Sequence, residues 1–411
     1  MSAQSYTSAR FWEWVNSHLG QDAARLRLAS HPATDFNLSE AITQVECRSR
    51  YGKKLRQTLT RFPEFYFPST LSGEQSTSDL LANFHANFVN ADDNVVDLTC
   101  GLGIDVLHMA TKARQVTAIE QNSELCHALE YNAKGLKTEN LKVVCGDCTQ
   151  LIDKLSGTVA YIDPARRAAD GSRVFGLNDC QPDVTTLIPE LSRNFRSLII
   201  KASPMLDISR TIAELGTAVT DIYLIGTTTE CKELVAVLRF GEERVGDVNI
   251  HAVTLFGQDA CSEFAFTREQ EAEAMANIAE KMPLSGDVLY VPYPATMKAA
   301  PTKLLSSDFG LNKFHANTHL YFGAPSTRVE NFPGEKLEIV EVIPWQSKNI
   351  KRFKSRFPNV MVSTRNFGMS AEALQKKLGV KEGGAEQLRL FGIGLGNDQT
   401  DKILIVARPN K

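Results

Sequence analysis

Between Ser76 and Phe240 the chain alternates short apolar runs with stretches whose apolar residues recur every three or four positions. NVVDLT, QVTAIE, LKVVCGD, TVAYID and SLIIKA are the runs. TSDLLANFHANFV, GIDVLHMATKA and SELCHALEYNAKGL are among the helical stretches between them. Such β–α alternation predicts a parallel sheet with right-handed crossovers. TDIYLIG and ELVAVLRF follow without a long helix between them, so an antiparallel hairpin is expected at the sheet's edge. The fold class is α/β, with a mostly parallel, Rossmann-like sheet and an antiparallel terminal hairpin.

The flanks have a different texture. Residues 1–75 read as a helical N-terminal region. SEAITQVECRSRYGKKLRQTL is expected to form one helix with Ser39 as its N-cap. Pro63, Pro68 and Gly73 then punctuate the aromatic loop RFPEFYFPST. After the sheet region, TREQEAEAMANIAEKM reads as an acidic connector helix, and residues 287–323 as a small strand–helix–strand unit. From Lys336, KLEIVEVIPW, NIKRFKSRFP, NVMVSTRN, SAEALQKKLG, EQLRLFGIG and DKILIVARP describe a separate small α/β domain. The expected divisions are 1–75, 76–258, 259–335 and 336–411, consistent with a length of 411 residues.

Composition changes this picture little. An apolar fraction of 43% supports sizeable cores, and a net charge of −3 excludes nonspecific attraction of nucleic acid by the whole molecule. The eight cysteines form no framework pattern. There is no signal sequence at the N-terminus and no apolar run of the ~20 residues that span a bilayer. A cytoplasmic protein with reduced thiols and no membrane partner is expected.

The candidate chemistry lies at the strand ends. In VVDLTCGLGID a buried strand ends near Asp97, and Gly101 and Gly103 allow the next turn to approach a ligand closely. Alone, this turn is equally well a tight strand–helix connection. Three further acids strengthen the ligand reading. Glu120 closes the next strand, where it can accept from ribose hydroxyls; Asp147 follows the third, placed for an adenine amine; Asp163-Pro164 closes the fourth. A dinucleotide is disfavoured, because Val106 replaces the third glycine of G-x-G-x-x-G and Asp105 would repel a diphosphate. The sulfonium of S-adenosylmethionine tolerates that acid. Asp97, Thr99, Gly101, Gly103, Asp105, Glu120, Gln121, Asp147 and Cys148 are therefore the candidate cofactor residues.

DLTCGLGID resembles the first motif of class I methyltransferases, and DPAR stands where amino-methyltransferases carry Asp/Asn-Pro-Pro-aromatic. With EQSTSD, DPARR, VPYPATMKA and VSTRNFGMSAEALQKKLGV, the chain is similar to a bacterial family of class I methyltransferases with a THUMP-like C-terminal domain. The resemblance implies small ferredoxin-like and THUMP-like domains after the catalytic sheet. It also implies that Asp163 and the Pro164 carbonyl orient a target amine, with no metal required. Arg166 replaces the aromatic of the motif; it and Arg167 could hold a base or phosphate, and Phe175 could supply a ring.

RNA, either tRNA or rRNA, is the expected partner, methylated on a base nitrogen. Two basic segments could contact it: Arg48, Arg50, Lys53, Lys54 and Arg56, and Lys348, Lys351, Arg352, Lys354 and Arg356. Each is equally well a solvated helix face. Two other readings stay open: an RNA-binding or assembly protein with a weakened methyltransferase core, and a protein or small-molecule methyltransferase. Among the remaining polar residues, Cys100 and Cys145 are expected in the core and Cys148 at the cofactor rim. Half a zinc site at Cys145-x-x-Cys148 lacks partners. His85 and His108 are read as ordinary helix residues, whereas Lys201 either contacts substrate or snorkels from a strand end.

Overall fold

The apolar runs become strands, and those in the middle of the sheet are largely buried. The computed structural model describes residues 5–166, 176–241, 246–257, 260–327, 329–384, 387–396 and 401–409. Two compact units divide the chain, Met1–Thr220 with Val235–Arg244 and Asp221–Leu234 with Val245–Lys411.

In the first unit, the strands are β1 (Asn94–Asp97), β2 (Gln115–Glu120), β3 (Leu141–Cys145), β4 (Val159–Ile162) and β7 (Ser197–Ala202). A two-residue ladder, β5 (Ala165–Arg166) with β6 (Cys180–Gln181), follows β4. The five main strands lie parallel in the order β3-β2-β1-β4-β7. Chain direction across the sheet reverses between β1 and β4, and ligands of such sheets bind beyond the strand C-termini at that reversal. The crossover helix Ser123–Gly135 starts where Asn122 accepts from the N–H groups of Glu124 and Leu125. It buries Cys126, Leu129 and Ala133. Its Asn132 exchanges two hydrogen bonds with the Tyr66 backbone, tying the N-terminal region down.

That region departs from its expected form. The helix spans Leu38–Tyr51 and is capped by Asn37, not Ser39; it breaks at Gly52–Leu55 before resuming at Arg56–Arg61. Two cations of the basic segment, Arg48 and Lys54, serve the structure. Arg48 is half-buried, donating to the Pro63 and Phe65 carbonyls at 2.7 and 2.8 Å with its guanidinium over the Trp12 and Phe67 rings. Burial pushes its pKa down to about 10. Lys54 donates to the carbonyls of Gly73 and Glu74, and Arg50 pairs with Glu46. Folding of the loop against this helix takes up Arg48 and Lys54, whereas Arg50, Lys53 and Arg56 stay exposed.

The hairpin strands β8 (Val219–Gly226) and β9 (Cys231–Arg239) follow, with most of β8 in the second unit and Val235–Arg239 of β9 in the first, and the turn is closed by Thr227 N–H to the Glu230 carbonyl. This hairpin is not the edge. β10 (Asn249–Leu255) runs parallel to β8, and β11 (Cys261–Thr267) antiparallel to β10. A further eight-stranded sheet holds β12 (Asn277–Ile278), β13 (Val288–Pro292), β14 (Asn312–Lys313), β15 (Tyr321–Gly323), β16 (Gly334–Pro344), β17 (Met361–Arg365), β18 (Arg389–Gly394) and β19 (Lys402–Pro409). Its order is β12-β14-β15-β13-β16-β19-β18-β17. The ladder between β13 and β16 joins the two C-terminal regions that the pattern separates near residue 336. The acidic connector is helical only over Arg268–Glu273. Glu271 accepts from Thr302 and from the N–H groups of Lys303 and Leu304, and the chain then turns into β12. Among the described residues, no helix is long and apolar enough to cross a membrane.

Candidate active site

The turn after β1 is built from the strand ends around it. Asp97 is buried and accepts from Thr99 N–H at 2.9 Å; Thr99 Oγ1 in turn accepts from Asp163 N–H at 2.9 Å. Gly101 has φ of +55° and donates its N–H to Glu120 at 3.0 Å. The other Glu120 oxygen accepts from Asn122 N–H. Thus the ends of β1, β2 and β4 are locked to one another by short hydrogen bonds. A Cβ on Gly101 would meet nothing within 4 Å, so its turn borders open space. Gly103, at φ +85°, starts the helix Ile104–Met109, and a Cβ there would lie 2.3 Å from Leu129.

The other proposed cofactor residues are more mixed. Asp147 caps Cys148–Leu151, accepting from Thr149 N–H and its hydroxyl, while its second oxygen is met by Gln150 at 3.5 Å. Gln121 is exposed, and Cys148 is buried, which pushes its thiol up to about 11. Cys100 is buried and its pKa raised well above the usual thiol value by desolvation. Cys145 is exposed and not in the core, because β3 ends the β3-β2-β1-β4-β7 series and turns that position outward.

Beside this turn lies a polar network that the sequence reading largely missed. Lys201, at the end of β7, donates to Asp163 at 2.7 Å and to Thr77 at 2.8 Å, with Asp105 3.6 Å away. Thr77 donates to Asp105 at 2.5 Å, and His85 reaches the other Asp105 oxygen at 2.7 Å. Tyr161 OH stands 3.5 Å from the same His85 nitrogen. Asp105 therefore joins the Asp163 side of the crevice rather than facing the glycine turn alone. His85 and His108 are both buried against carboxylates, His85 on Asp105 and His108 3.2 Å from Asp79. Asp79 also accepts from Gln57 N–H and from both the N–H and hydroxyl of Thr58.

Charge in the network is partitioned by burial. Desolvation would protonate Asp105, but Lys201 and His85 outweigh it and hold the carboxyl far below its usual range. Asp97 goes the other way: burial, reinforced by Asp105 and Asp163, raises it well above an ordinary carboxyl despite the Thr99 N–H. The Asp163 side chain is about 40% exposed, so one end of the Lys201–Asp163 pair faces outward. Pro164 is buried behind it. The Arg166 backbone pairs with Cys180; its side chain, Arg167 and Phe175 lie outside the described residues. EQSTSD could have pointed to Thr77 as a partner of the strand ends, but nothing in a lone helical histidine identifies His85.

A parallel sheet of this order, with a glycine turn after β1, acids ending β1, β2 and β4 and a described RNA-modifying family model over the same span, decides the architecture. Residues 92–165 match the family model for RNA cap guanine-N2 methyltransferase, 289–333 that for a ferredoxin-like domain and 334–409 that for a THUMP domain-like module. The chain is a class I methyltransferase-fold protein with ferredoxin-like and THUMP-like domains. A crystal structure from Porphyromonas gingivalis W83, described as a "putative methyltransferase", is similar over 100% of both chains, with a TM-score of 0.87 and 29% identity. An uncharacterized RNA methyltransferase of Mycoplasma mobile is 25% identical over 170 residues, 37% of this chain and 46% of that protein. The 23S rRNA (uracil(1939)-C(5))-methyltransferase RlmD of Aliivibrio salmonicida is 35% identical over 129 residues, 29% of this chain and 30% of that protein. The methyltransferase-fold chain thus spans less than half the length of these curated relatives.

Proposed function

We propose that this protein transfers a methyl group from S-adenosylmethionine to a base nitrogen of RNA. The observation that carries the reading is the outward-facing Asp163 carboxylate, fixed through Lys201 at 2.7 Å and through its own N–H to Thr99 at 2.9 Å. Open space at Gly101, beside Glu120, fits the ribose and methionine parts of the cofactor, and Asp147 fits its adenine amine. When bound, the cofactor supplies an electrophilic methyl group next to the acid. Asp97, Thr99, Gly101, Gly103, Glu120, Gln121, Asp147 and Cys148 form its cradle, with Asp105 shared between cradle and network.

Asp163 and the Pro164 carbonyl accept hydrogen bonds from the target N–H, which aims the nitrogen lone pair and fixes near-attack geometry. Lys201 keeps Asp163 ionised before transfer, and Asp163 takes up the proton that the methylated nitrogen releases. Thr77, Asp105 and His85 hold the Lys201 ammonium in place. Arg166 and Arg167 grip the base or its phosphate. RNA docks on the helix Ser347–Arg356, where Lys348, Lys351, Arg352 and Lys354 are exposed and Phe353 is buried.

Modified nucleosides in tRNA and rRNA from deletion and wild-type strains, compared by mass spectrometry, test the reading directly. One methylated base is expected to vanish; an unchanged inventory sinks the proposal. In purified protein, Asp163→Ala is expected to keep cofactor affinity and lower transfer by ~100-fold or more. Lys201→Ala should move the acidic limb of the pH–rate profile upward. Tight cofactor binding with no transfer by the wild type would instead favour a binding or assembly protein.

A further inference from the structure

In the second unit, Lys313, His319 and Arg365 are brought together at one end of the eight-stranded sheet, and among the described residues none of the three has a carboxylate partner in an ion pair. Lys313, in β14, is only 1% exposed. Its ammonium donates to the Ala316 carbonyl at 3.0 Å and lies 5.8 Å from the Tyr321 ring centre. The following loop crosses the sheet, and Thr318 Oγ1 donates to the Gly394 carbonyl at 3.0 Å. That bond sets the next residue, His319, against the C-terminal end of β18. Arg365 arrives at the same end from β17, in register with Ile393.

Their hydrogen bonding is incomplete. Arg365 Nη1 donates to the carbonyl of its own neighbour Thr364 at 3.0 Å, while Arg365 Nε and His319 Nδ1 are buried with no partner among the described residues. Within those residues, no carboxylate pairs with Lys313, His319 or Arg365. Arg389, the next cation along, is paired with Glu335 and still leaves its Nε unsatisfied. Glu271, the acid that acts on Lys313 and His319 from a distance, is engaged with Thr302, Lys303 and Leu304. Burial, then repulsion from Lys313 and Arg365, depresses the His319 pKa; burial, then Arg389, depresses that of Arg365. Two desolvated cations beside a buried imidazole, with ring and guanidinium nitrogens left unpartnered, are costly, and a protein of net charge −3 has acids to spare for cancelling them. Such a violation of local rules marks a place where function overrides stability.

We propose that Lys313, His319 and Arg365 form a binding site for a phosphate oxyanion. A guanidinium fork satisfies two oxygens at once, imidazole reaches a third, and the buried lysine supplies field without needing contact. Arg365 and His319 are each partly exposed, which leaves a route from solvent. The oxyanion can belong to a free phosphate compound or to an RNA strand. The site stands whether or not the methyl-transfer reading does.

The test uses the full chain and inorganic phosphate. At matched ionic strength, phosphate in place of chloride is expected to raise the Tm saturably, by at least ~3 °C near saturation. Phosphate should also shift the His319 ring resonances in wild-type protein, an assay that requires no variant to fold. Arg365→Gln should weaken phosphate binding at least ~10-fold, and Arg365→Lys should fall between the two. Competition then separates the sources: displacement by RNA but not by a mononucleotide assigns the oxyanion to the strand, and the reverse to a small molecule. Absence of both the Tm rise and the His319 shift overturns the site, as does a response identical in wild type and Arg365 variants.

Discussion

Gly101 and Gly103 look alike in the motif, yet they face different constraints. Both have positive φ, but a Cβ on Gly103 would strike Leu129 whereas one on Gly101 would enter open space. Gly103→Ala is therefore expected to cost about 2–4 kcal/mol, from backbone strain plus overpacking. Gly101→Ala should cost only about 1 kcal/mol, yet weaken S-adenosylmethionine binding at least ~10-fold by filling the cradle. Urea midpoints and calorimetric titration of both variants check this; equal loss of stability would show that both glycines serve packing alone. The same contrast explains what was legible in the sequence. Acids at strand ends announce themselves because the strand period and the motif place them together. Thr77 precedes one helix and His85 ends it, while Lys201 lies more than a hundred residues further on, and only the folded chain shows that they meet at Asp105 and Asp163.

At the scale of elements, β–α alternation yields the parallel core because each strand there is a continuous apolar run. β10 and β11 escaped because their signal is mixed: NIHAVTL places a histidine in a strand, and CSEFAFT interleaves polar residues with only one that is fully buried. That histidine joins three strands. His251 lies 2.7 Å from Glu263 on β11 and 3.1 Å from Asp221 on β8, and stacks on Tyr223 with ring centres 4.1 Å apart. Burial alone would lower its pKa, but hydrogen bonds to Asp221 and Glu263 overcome this and lift it to about 9. Since the folded value is raised, the clamp contributes fully below the unfolded value near 6.5 and is lost as pH rises through about 9. Allowing for partial exposure, His251→Gln should cost no more than about 2 kcal/mol at pH 6 and almost nothing at pH 10. Denaturation midpoints of both proteins across that range measure the difference, and a pH-independent gap would mean that stacking, not charge, holds the three strands.

For the molecule as a whole, the bulk charge of −3 says little about RNA because cations with similar sequence surroundings have opposite fates. Arg48 is locked under the aromatic loop by Trp12, Phe67 and two carbonyls, whereas Lys351 and Arg352 lie exposed on an amphipathic helix anchored by Phe353. Their variants should therefore separate folding from binding. Arg48→Ala is expected to lose about 2–4 kcal/mol of stability, because it abandons two loop carbonyls and two ring faces. Lys351→Ala should leave stability within about 0.5 kcal/mol of wild type. It should nevertheless flatten the slope of log affinity against log salt by roughly 0.7–0.9, the share of one phosphate contact. Lys351→Ala with Arg352→Ala should flatten it about twice as much if both touch the strand. Filter binding of RNA over a salt series gives the slopes and urea unfolding the stabilities. An unchanged slope in the double variant would remove this helix from the RNA interface, leaving other surfaces to account for any binding of RNA by an acidic protein.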